Sequence, residues 1–524
     1  MTINEEILVV GGGTAGWLTA AWLAKQLGPS VRITLVESSD IPTVGVGEGT
    51  FPTIARTLSA LGADEAEFMR ESAAAFKQGI RFVDWQHPKS AGRRRHYYHP
   101  FALPRAPEDL ELLPYWLLGE AGDVSFADAV TLQEKVCDAG CAPKRETDAG
   151  FRGPMNYAYH LDAGRFGAYL ARLARGLGVK HLVGTVTRVE LGESGDISGV
   201  VTQEHGTLRA GLYVDCTGFR AELIGRALGV PFQNKNDVLF VDRAVVLQVP
   251  HAHDGAPIPP HTISTAHEAG WTWDIALPTR RGVGYVYSSR YTDGTAAEGV
   301  LRDYVGAAAR DLPVRHLPLP IGWRAQHWVK NCVAVGLSGG FLEPLESTGI
   351  ILIEAAAYMI ASLYQRNGEF AAAAAHFNRL MTCRYERIVD FIKLHYFLTR
   401  RTDTAFWRDN ALPSTAPDSL LALLEMWRHR PPARFDLVMD HETFALANYQ
   451  FILYGMGFPT DLGADRGRYP DTPRARQEFM RVQDAGRRAV ASLPAHRELL
   501  QRVNQAGFRF SEQPVRPAQS VLMR

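Results

Sequence analysis

Cysteine is scarce. Only Cys137, Cys141, Cys216, Cys332 and Cys383 occur in 524 residues. Five thiols, an odd number, exclude a disulfide framework as the brace of the fold and suit a reducing compartment, so a cytoplasmic location is expected. Cys137 and Cys141 are spaced for one face of a helix, but no second Cys or His pair stands near them to complete a zinc site, and no metal is expected. Net charge is lacking as well: 56 basic residues balance 56 acidic ones, which argues against a general nucleic-acid or membrane-surface partner. The run Arg93-Arg94-Arg95-His96 is isolated and reads as a solvated loop. No stretch reaches about 18 uninterrupted apolar residues, so no membrane span is expected. The chain enters a strand-like Ile7-Leu8-Val9-Val10 almost at once, which leaves no signal-peptide pattern. Internal repeats and low-complexity tracts are missing; Ala371 to Ala375 is a good helix former and nothing more.

Apolar residues, by contrast, are ample. A hydrophobic content of 46% and an aromatic content of 10% support a buried interior, and the length implies about three structural units. The opening segment reads strand, glycine turn, helix, strand. Ile7 to Val10 leads into Gly11-Gly12-Gly13-Thr14-Ala15-Gly16, then a helically spaced apolar stretch to Leu27, then Val31 to Val36 and Glu37. In this context the glycines are a dinucleotide fingerprint. Gly11 makes the tight turn, Gly13 lets a pyrophosphate approach and Gly16 lets the helix pack closely. Glu37, about twenty residues on, is placed to accept from a ribose hydroxyl, and its charge fits FAD or NAD better than NADP.

Val44-Gly45-Val46-Gly47-Glu48-Gly49-Thr50 is a second glycine-rich turn, followed by helical patterns from Phe51 to Leu61 and Asp64 to Ala75. Phe76-Lys77-Gln78-Gly79-Ile80-Arg81-Phe82 alternates like a strand, with Lys77 at its entry. Trp85 to Pro104 reads as a loop dense in aromatics and histidine, a surface lid or one wall of an aromatic pocket. Strands near Val179 to Leu191 and Ser198 to Asp215 resume the α/β pattern, closing on Asp215-Cys216-Thr217-Gly218-Phe219. Between Phe240 and Ser289 alternation predicts a mainly antiparallel inserted sheet. After Ile350 the patterns are helical to about Asn504.

The segment Gly336 to Ile350 joins an apolar strand pattern to a long helix. It sets Glu346 and the amides of Ser347, Thr348 and Gly349 at a helix N-terminus, whose unpaired N–H groups and dipole suit an anion. Read alone, Glu346 is equally a cap for its helix.

Taken together, Gly11 to Gly16, Gly45-Val46-Gly47-Glu48, Phe76 to Ile80, Asp215 to Phe219, Trp271-Thr272-Trp273 and Glu343-Pro344-Leu345-Glu346-Ser347-Thr348-Gly349 resemble the flavin-dependent halogenases of the tryptophan-halogenase type. The resemblance covers most of the chain and is strongest up to about residue 360. It implies an α/β fold: an FAD-binding Rossmann-like (glutathione-reductase-like) domain with an inserted antiparallel sheet and a C-terminal helical subdomain. Residues 1–360 would form the core, including the inserted sheet at about 240–290, and residues 361–524 would cover the substrate pocket.

It also implies FAD used as FADH2, supplied by a separate flavin reductase, and chloride or bromide as co-substrate. In that family a hypohalous acid passes through the protein to an essential lysine beside an aromatic substrate. That lysine falls on Lys77, the catalytic carboxylate on Glu346 and the halide site on Thr348 and Gly349. The cofactor would be bordered by Gly11, Gly13, Thr14, Ala15, Gly16, Glu37, Gly47, Glu48, Val186, Leu337 and Ile350. His99 and Phe101 match the pair that clasps the indole. Trp271 and Trp273 match the Trp-x-Trp element, although the proline that usually follows comes two residues late, at Pro278. As a strand pattern, paired tryptophans two apart are simply one face of a sheet.

The substrate the resemblance implies is tryptophan, a plain indole, a tryptophan in a peptide or another phenol-like ring, rather than a carrier-tethered one. Asn448 to Gly455 is expected to face the pocket. A homodimer is a further expectation, since family members are often dimers. The competing readings are a single-component FAD-dependent aromatic monooxygenase and a catalytically idle flavoprotein.

Overall fold

A computed structural model describes residues 5–40, 47–89, 95–438 and 442–508. Gly45 and Val46 of the second glycine turn, and Arg93 and Arg94 of the basic run, lie outside the described residues.

The strand Glu6–Val10, almost wholly apolar and buried, is central in a six-stranded sheet. Arg32–Glu37 and Leu212–Asp215 flank it in parallel, and Lys180–Val183 and Cys332–Ala334 extend the sheet on either side. The short Trp328–Val329 closes one edge antiparallel. The strand order therefore reverses around Glu6–Val10, and the Gly11 to Gly16 turn lies at that reversal. A crevice at the carboxyl ends of the strands is where such sheets receive a dinucleotide. The helix Thr14–Leu27 packs against the helices Ala163–Gly176 and Thr348–Leu363.

The second large sheet has seven strands, in the order Arg315–Pro318, Arg243–Pro250, Arg280–Tyr287, Gly270–Ala276, Thr262–Ala266, Gly79–Val83 and His96–Pro100. It is antiparallel except where Thr262–Ala266 runs parallel to Gly79–Val83. The inserted sheet is thus broader than its sequence segment, because strands from earlier and later in the chain complete it. Trp271 and Trp273 are both buried. A Cβ on Gly284 would lie 2.2 Å from the Trp273 ring, so the facing strand needs glycine there. The late proline has a simple local reason. Leu277 N–H donates to Arg280 C=O, and Pro278 sits in that turn, where its missing N–H removes no ladder bond.

Three expectations change. Phe76 to Phe82 is not one strand but two, Ala75–Lys77 and Gly79–Val83, lying in different sheets. The break is enforced at Gly79, whose φ is +152° and whose missing Cβ would sit 2.4 Å from the His99 carbonyl oxygen. His96–Pro100, expected within a loop, is an edge strand paired with Gly79–Val83, and Pro100 closes it where a proline is tolerated. Cys137 and Cys141 do not share a helix face. The helix ends at Asp138, and Cys141 bridges to Ala495 instead.

The helical last third contains Thr348–Leu363, Ala371–Phe397, Asp418–His429, Leu446–Gly455, Thr472–Ser492 and His496–Ala506. The second half of Ala371–Phe397 is buried almost all round, Ile388 to Tyr396 inclusive. A helix stretch buried on every side must be enclosed by other elements. No helix among the described residues is long and apolar enough to cross a membrane.

Candidate active site

The dinucleotide turn comes first. A Cβ on Gly11 (φ +111°) would lie 2.3 Å from the Cys216 carbonyl oxygen, and one on Gly16 would lie 1.8 Å from the Gly11 carbonyl oxygen. Both positions demand glycine for close backbone approach. Gly13 has nothing within 4 Å of its Cβ position, so the space in front of it is open. Thr14–Leu27 begins from Gly13 with no side-chain cap, which leaves first-turn amides available to a phosphate. Glu37 ends its strand with Oε1 2.9 Å from His181 Nε2. Leu337 and Phe219 expose apolar side chains beside the turns that close this crevice. These features fit a flavin dinucleotide: glycine where backbone must approach, amides for the pyrophosphate, a carboxylate for the ribose and apolar surface for a ring. Gly47 (φ +80°) leads into Glu48–Gly49, which pairs with Ala158–Leu161. Val186 starts a strand of a separate three-stranded sheet, and Ile350 is buried in the first turn of Thr348–Leu363.

The carboxyl end of Cys332–Ala334 delivers the segment that carries Glu346. Val335 N–H donates to Asp215 C=O at 2.9 Å, tying this turn to the one that follows Leu212–Asp215. Ser347 is left-handed, φ 57° and ψ 40°, and starts Thr348–Leu363 without a side-chain cap bond. A non-glycine residue held there costs about 1–3 kcal/mol. Its hydroxyl does not cap the helix but accepts from Lys77 Nζ at 2.9 Å. The Thr348 and Gly349 amides thus begin a helix that no side chain caps, and Gly349 has nothing within 4 Å of its Cβ position.

Lys77 and Glu346, 269 positions apart in sequence, converge here, and both are fully buried. Lys77 Nζ donates also to Thr50 C=O at 3.3 Å and lies 5.2 Å from the centre of the Phe101 ring. Burial pulls its pKa down to about 7, and the Glu346 charge opposes that only in part. Glu346 is set between two imidazoles. His99 Nδ1 lies 2.9 and 3.1 Å from its two oxygens, and His395 Nε2 lies 2.9 Å from Oε1. Burial alone would raise this carboxyl, but the two imidazoles that flank it, His99 and His395, overcome it and hold the pKa at about 2. The arrangement sets an amine that titrates near neutrality beside a carboxylate that stays charged.

Around them is an aromatic wall. Phe101 packs on Phe51 (5.6 Å), Phe51 on Phe444 (5.6 Å), and Phe444 stacks on Phe391 at 3.8 Å. Asn448 Nδ2 donates to His99 Nε2 at 2.8 Å. Of the segment expected to face the pocket, Asn448 is the residue that touches the His99 side. Trp271 packs edge-on to Trp273 and against Trp85, next to Glu343, whose carboxyl burial pushes up to about 8.

Sequence reading did not single out His395, Phe444, Phe51 or Thr50. His395 had one available signal, a histidine set off the Glu386, Asp390, Lys393 face of its helix and among apolar neighbours. Thr50 contributes only a backbone oxygen, which no side-chain pattern reports.

Gly49 shows how tight the site is. A Cβ there would lie 2.8 Å from Ser347 Oγ and 3.0 Å from Lys77 Nζ. Gly49→Ala is expected to fold, since its φ is not in the left-handed region, yet to displace the Lys77–Ser347 contact and lower any turnover that depends on Lys77 at least about tenfold. Steady-state product formation alongside a thermal melt checks this; wild-type turnover in the variant would contradict it.

The family model described as tryptophan halogenase matches residues 6–466. The tryptophan 6-halogenase SttH of Streptomyces toxytricini is 37% identical over 94% of this chain and 97% of its own. A tryptophan halogenase from Shewanella frigidimarina superposes with a TM-score of 0.92 at 40% identity, covering 96% of this chain and 98% of the other. BrvH, a flavin-dependent halogenase from Brevundimonas sp. BAL3, superposes with a TM-score of 0.85 at 34% identity, over 95% and 99% of the two chains.

Proposed function

The chain belongs to the tryptophan halogenase family and is a flavin-dependent halogenase; from that premise we propose that it places chloride or bromide on an electron-rich ring, tryptophan or another indole, under the control of Lys77 and Glu346. The observation that carries this reading is the convergence of those two side chains in one buried, aromatic-walled site.

Reduced FAD, if held at the glycine crevice by the amides after Gly13 and by Glu37, would supply the two electrons with which dioxygen is activated, and that activated oxygen would oxidise halide to hypohalous acid. The uncapped Thr348 and Gly349 amides offer that halide a binding site. Free hypohalous acid is indiscriminate, so selectivity requires holding it beside one ring carbon. Lys77 is suited to this. Two of its three N–H groups are used by Thr50 C=O and Ser347 Oγ, and the third is left to donate to the hypohalous oxygen.

The halogen–oxygen bond then breaks as the carbon–halogen bond forms, and oxygen leaves as water with the proton Lys77 directs to it. Glu346 stabilises the positive charge that develops on the ring. A carboxylate held at about 2 is a weak base, so its main work is electrostatic, but the ring cation is far more acidic still and gives its proton to that carboxylate. His99 and Phe101 hold the ring, and the helical last third covers it through Phe444 and Asn448. Alternatives in which the protein oxidises NAD(P)H itself, or performs no chemistry, have no use for a buried lysine and carboxylate arranged in this way.

Protein incubated with a flavin reductase, NADH, FAD and bromide should convert tryptophan or indole to a product heavier by one bromine, read by mass spectrometry. Hydroxylated product alone, or none across a panel of indoles and phenols, would overturn the proposal.

A further inference from the structure

His395 and His99 both face Glu346, but their other nitrogens meet opposite chemistry. His99 presents Nε2 to the Asn448 amide nitrogen, 2.8 Å away, which donates. One proton, on Nδ1 toward the carboxylate, satisfies that ring. His395 presents Nδ1, 2.9 Å away, to the carbonyl oxygen of Phe391 one helical turn back. A backbone carbonyl can only accept, and so can an ionised carboxylate. With Nε2 2.9 Å from Glu346 Oε1, the His395 ring lies between two acceptors and must donate from both nitrogens.

We propose that His395 carries a proton on each ring nitrogen, and that this imidazolium is a positioning residue holding Glu346 as a charged carboxylate in one orientation beside the reacting ring. The role assigned to Glu346 rests on the halogenase reading; the protonation of His395 does not.

The surroundings support the pairing. A fully buried carboxylate without a cationic partner is strongly disfavoured. Among the described residues the groups within ion-pair distance of it are the two histidines, and of these only His395 lies between two acceptors. The other titratable groups facing it are Lys77 from Ala75–Lys77 and Tyr97 from His96–Pro100. Tyr97 stays a neutral phenol, since burial and then the Glu346 charge raise it well above its ordinary value. The Phe82 and Trp85 rings pack on His395 at 4.9 and 6.2 Å and bring no charge. With the pair neutral overall, Lys77 is not needed to keep Glu346 ionised. It can gain or lose its proton during turnover without altering the carboxylate.

The direct test is nitrogen NMR of the full chain with 15N-labelled imidazoles, His395→Gln identifying the signal. Expected is one ring with both nitrogens at imidazolium positions, lost in the variant. A neutral ring protonated only on Nδ1 would overturn the assignment. The functional arm uses single turnovers with pre-reduced FAD. His395→Phe should lower the halogenation rate at least about tenfold, leave KM for the ring substrate within about twofold and move the acid limb of the pH profile upward by about one unit or more. His395→Gln, which keeps one donor, should recover most of the rate at alkaline pH. An acid limb that does not move in His395→Phe would leave His395 a packing residue. An imidazolium signal in a protein that halogenates nothing would sink the functional reading while leaving the protonation standing.

Discussion

Lys77→Met is expected to abolish halogenated product, a fall of roughly a thousandfold or more, while reduced FAD continues to be consumed and hypohalous acid escapes to a trap in solution. Methionine nearly preserves the length and apolar stem of lysine, so the Phe101 contact survives. What is lost is the donor that faces the hypohalous oxygen. Thr50 C=O and Ser347 Oγ also lose their partner, which costs about 1–3 kcal/mol of stability for each buried group left unsatisfied; a lower but still cooperative melt is therefore part of the expectation. Lys77→Arg should not rescue activity, because a rigid guanidinium fork cannot enter space so narrow that a Cβ on Gly49 would already lie 3.0 Å from Nζ.

The same residue sets a pH signature. With the lysine pKa pulled down by burial to about 7, the ammonium is present below that value and gives way to the amine above it. If the ammonium positions hypohalous acid, halogenated product per reduced FAD consumed should hold steady below about pH 7 and decline as pH rises through it. A yield that rises through the same range would instead assign the halogen to the neutral amine. Pre-reduced FAD in single turnovers removes the pH dependence of the reductase from the measurement.

How far the sequence reveals these features depends on how local each signal is. The Gly11 to Gly16 turn is legible because strand, glycines, helix and Glu37 all fall within one short unit, and Gly11 and Gly16 answer to nearby backbone atoms, the Cys216 and Gly11 carbonyls. The helices of the last third are legible from their apolar spacing. Lys77 is different: nothing in its own segment separates it from a solvated lysine. Its partner lies 269 positions on, and only family resemblance links the two. The strand break at Gln78 is hidden because alternation of apolar and polar residues continues across it, while the close approach that forces it comes from His99 on another strand. His96–Pro100 is obscured by two histidines, two tyrosines and a proline, all of which an edge strand tolerates. His395 reports its role only when Phe391 C=O and Glu346 are both in view.

Glu346→Gln is expected to lower the halogenation rate by roughly 10²–10³ while KM for the ring substrate stays close to that of the wild type. The amide matches the carboxylate in size but carries no charge, so the cation forming on the ring loses its counter-charge while the ground-state ring loses little. One of its two acceptors also becomes an N–H donor facing the donors of His99 and His395. Those imidazoles must shift tautomer or turn away, and the His99 side of the pocket loosens with them. Glu346→Asp separates the two effects. It retains the charge but draws it back by one methylene, so a partial recovery of rate would assign the loss in the amide variant to charge rather than to fit. The amide variant should also change how the protein responds to acid. Glu346, held near 2 against an ordinary value of 4.5, contributes stability that is present above about 4.5 and is lost as pH falls toward about 2. In Glu346→Gln that part of the acid transition should disappear, so melting temperatures of wild type and variant should draw together as the solution is made more acidic. A gap that widened toward low pH would mean that the carboxylate is not held charged by its histidines, and the electrostatic account of its role in turnover would fail with it.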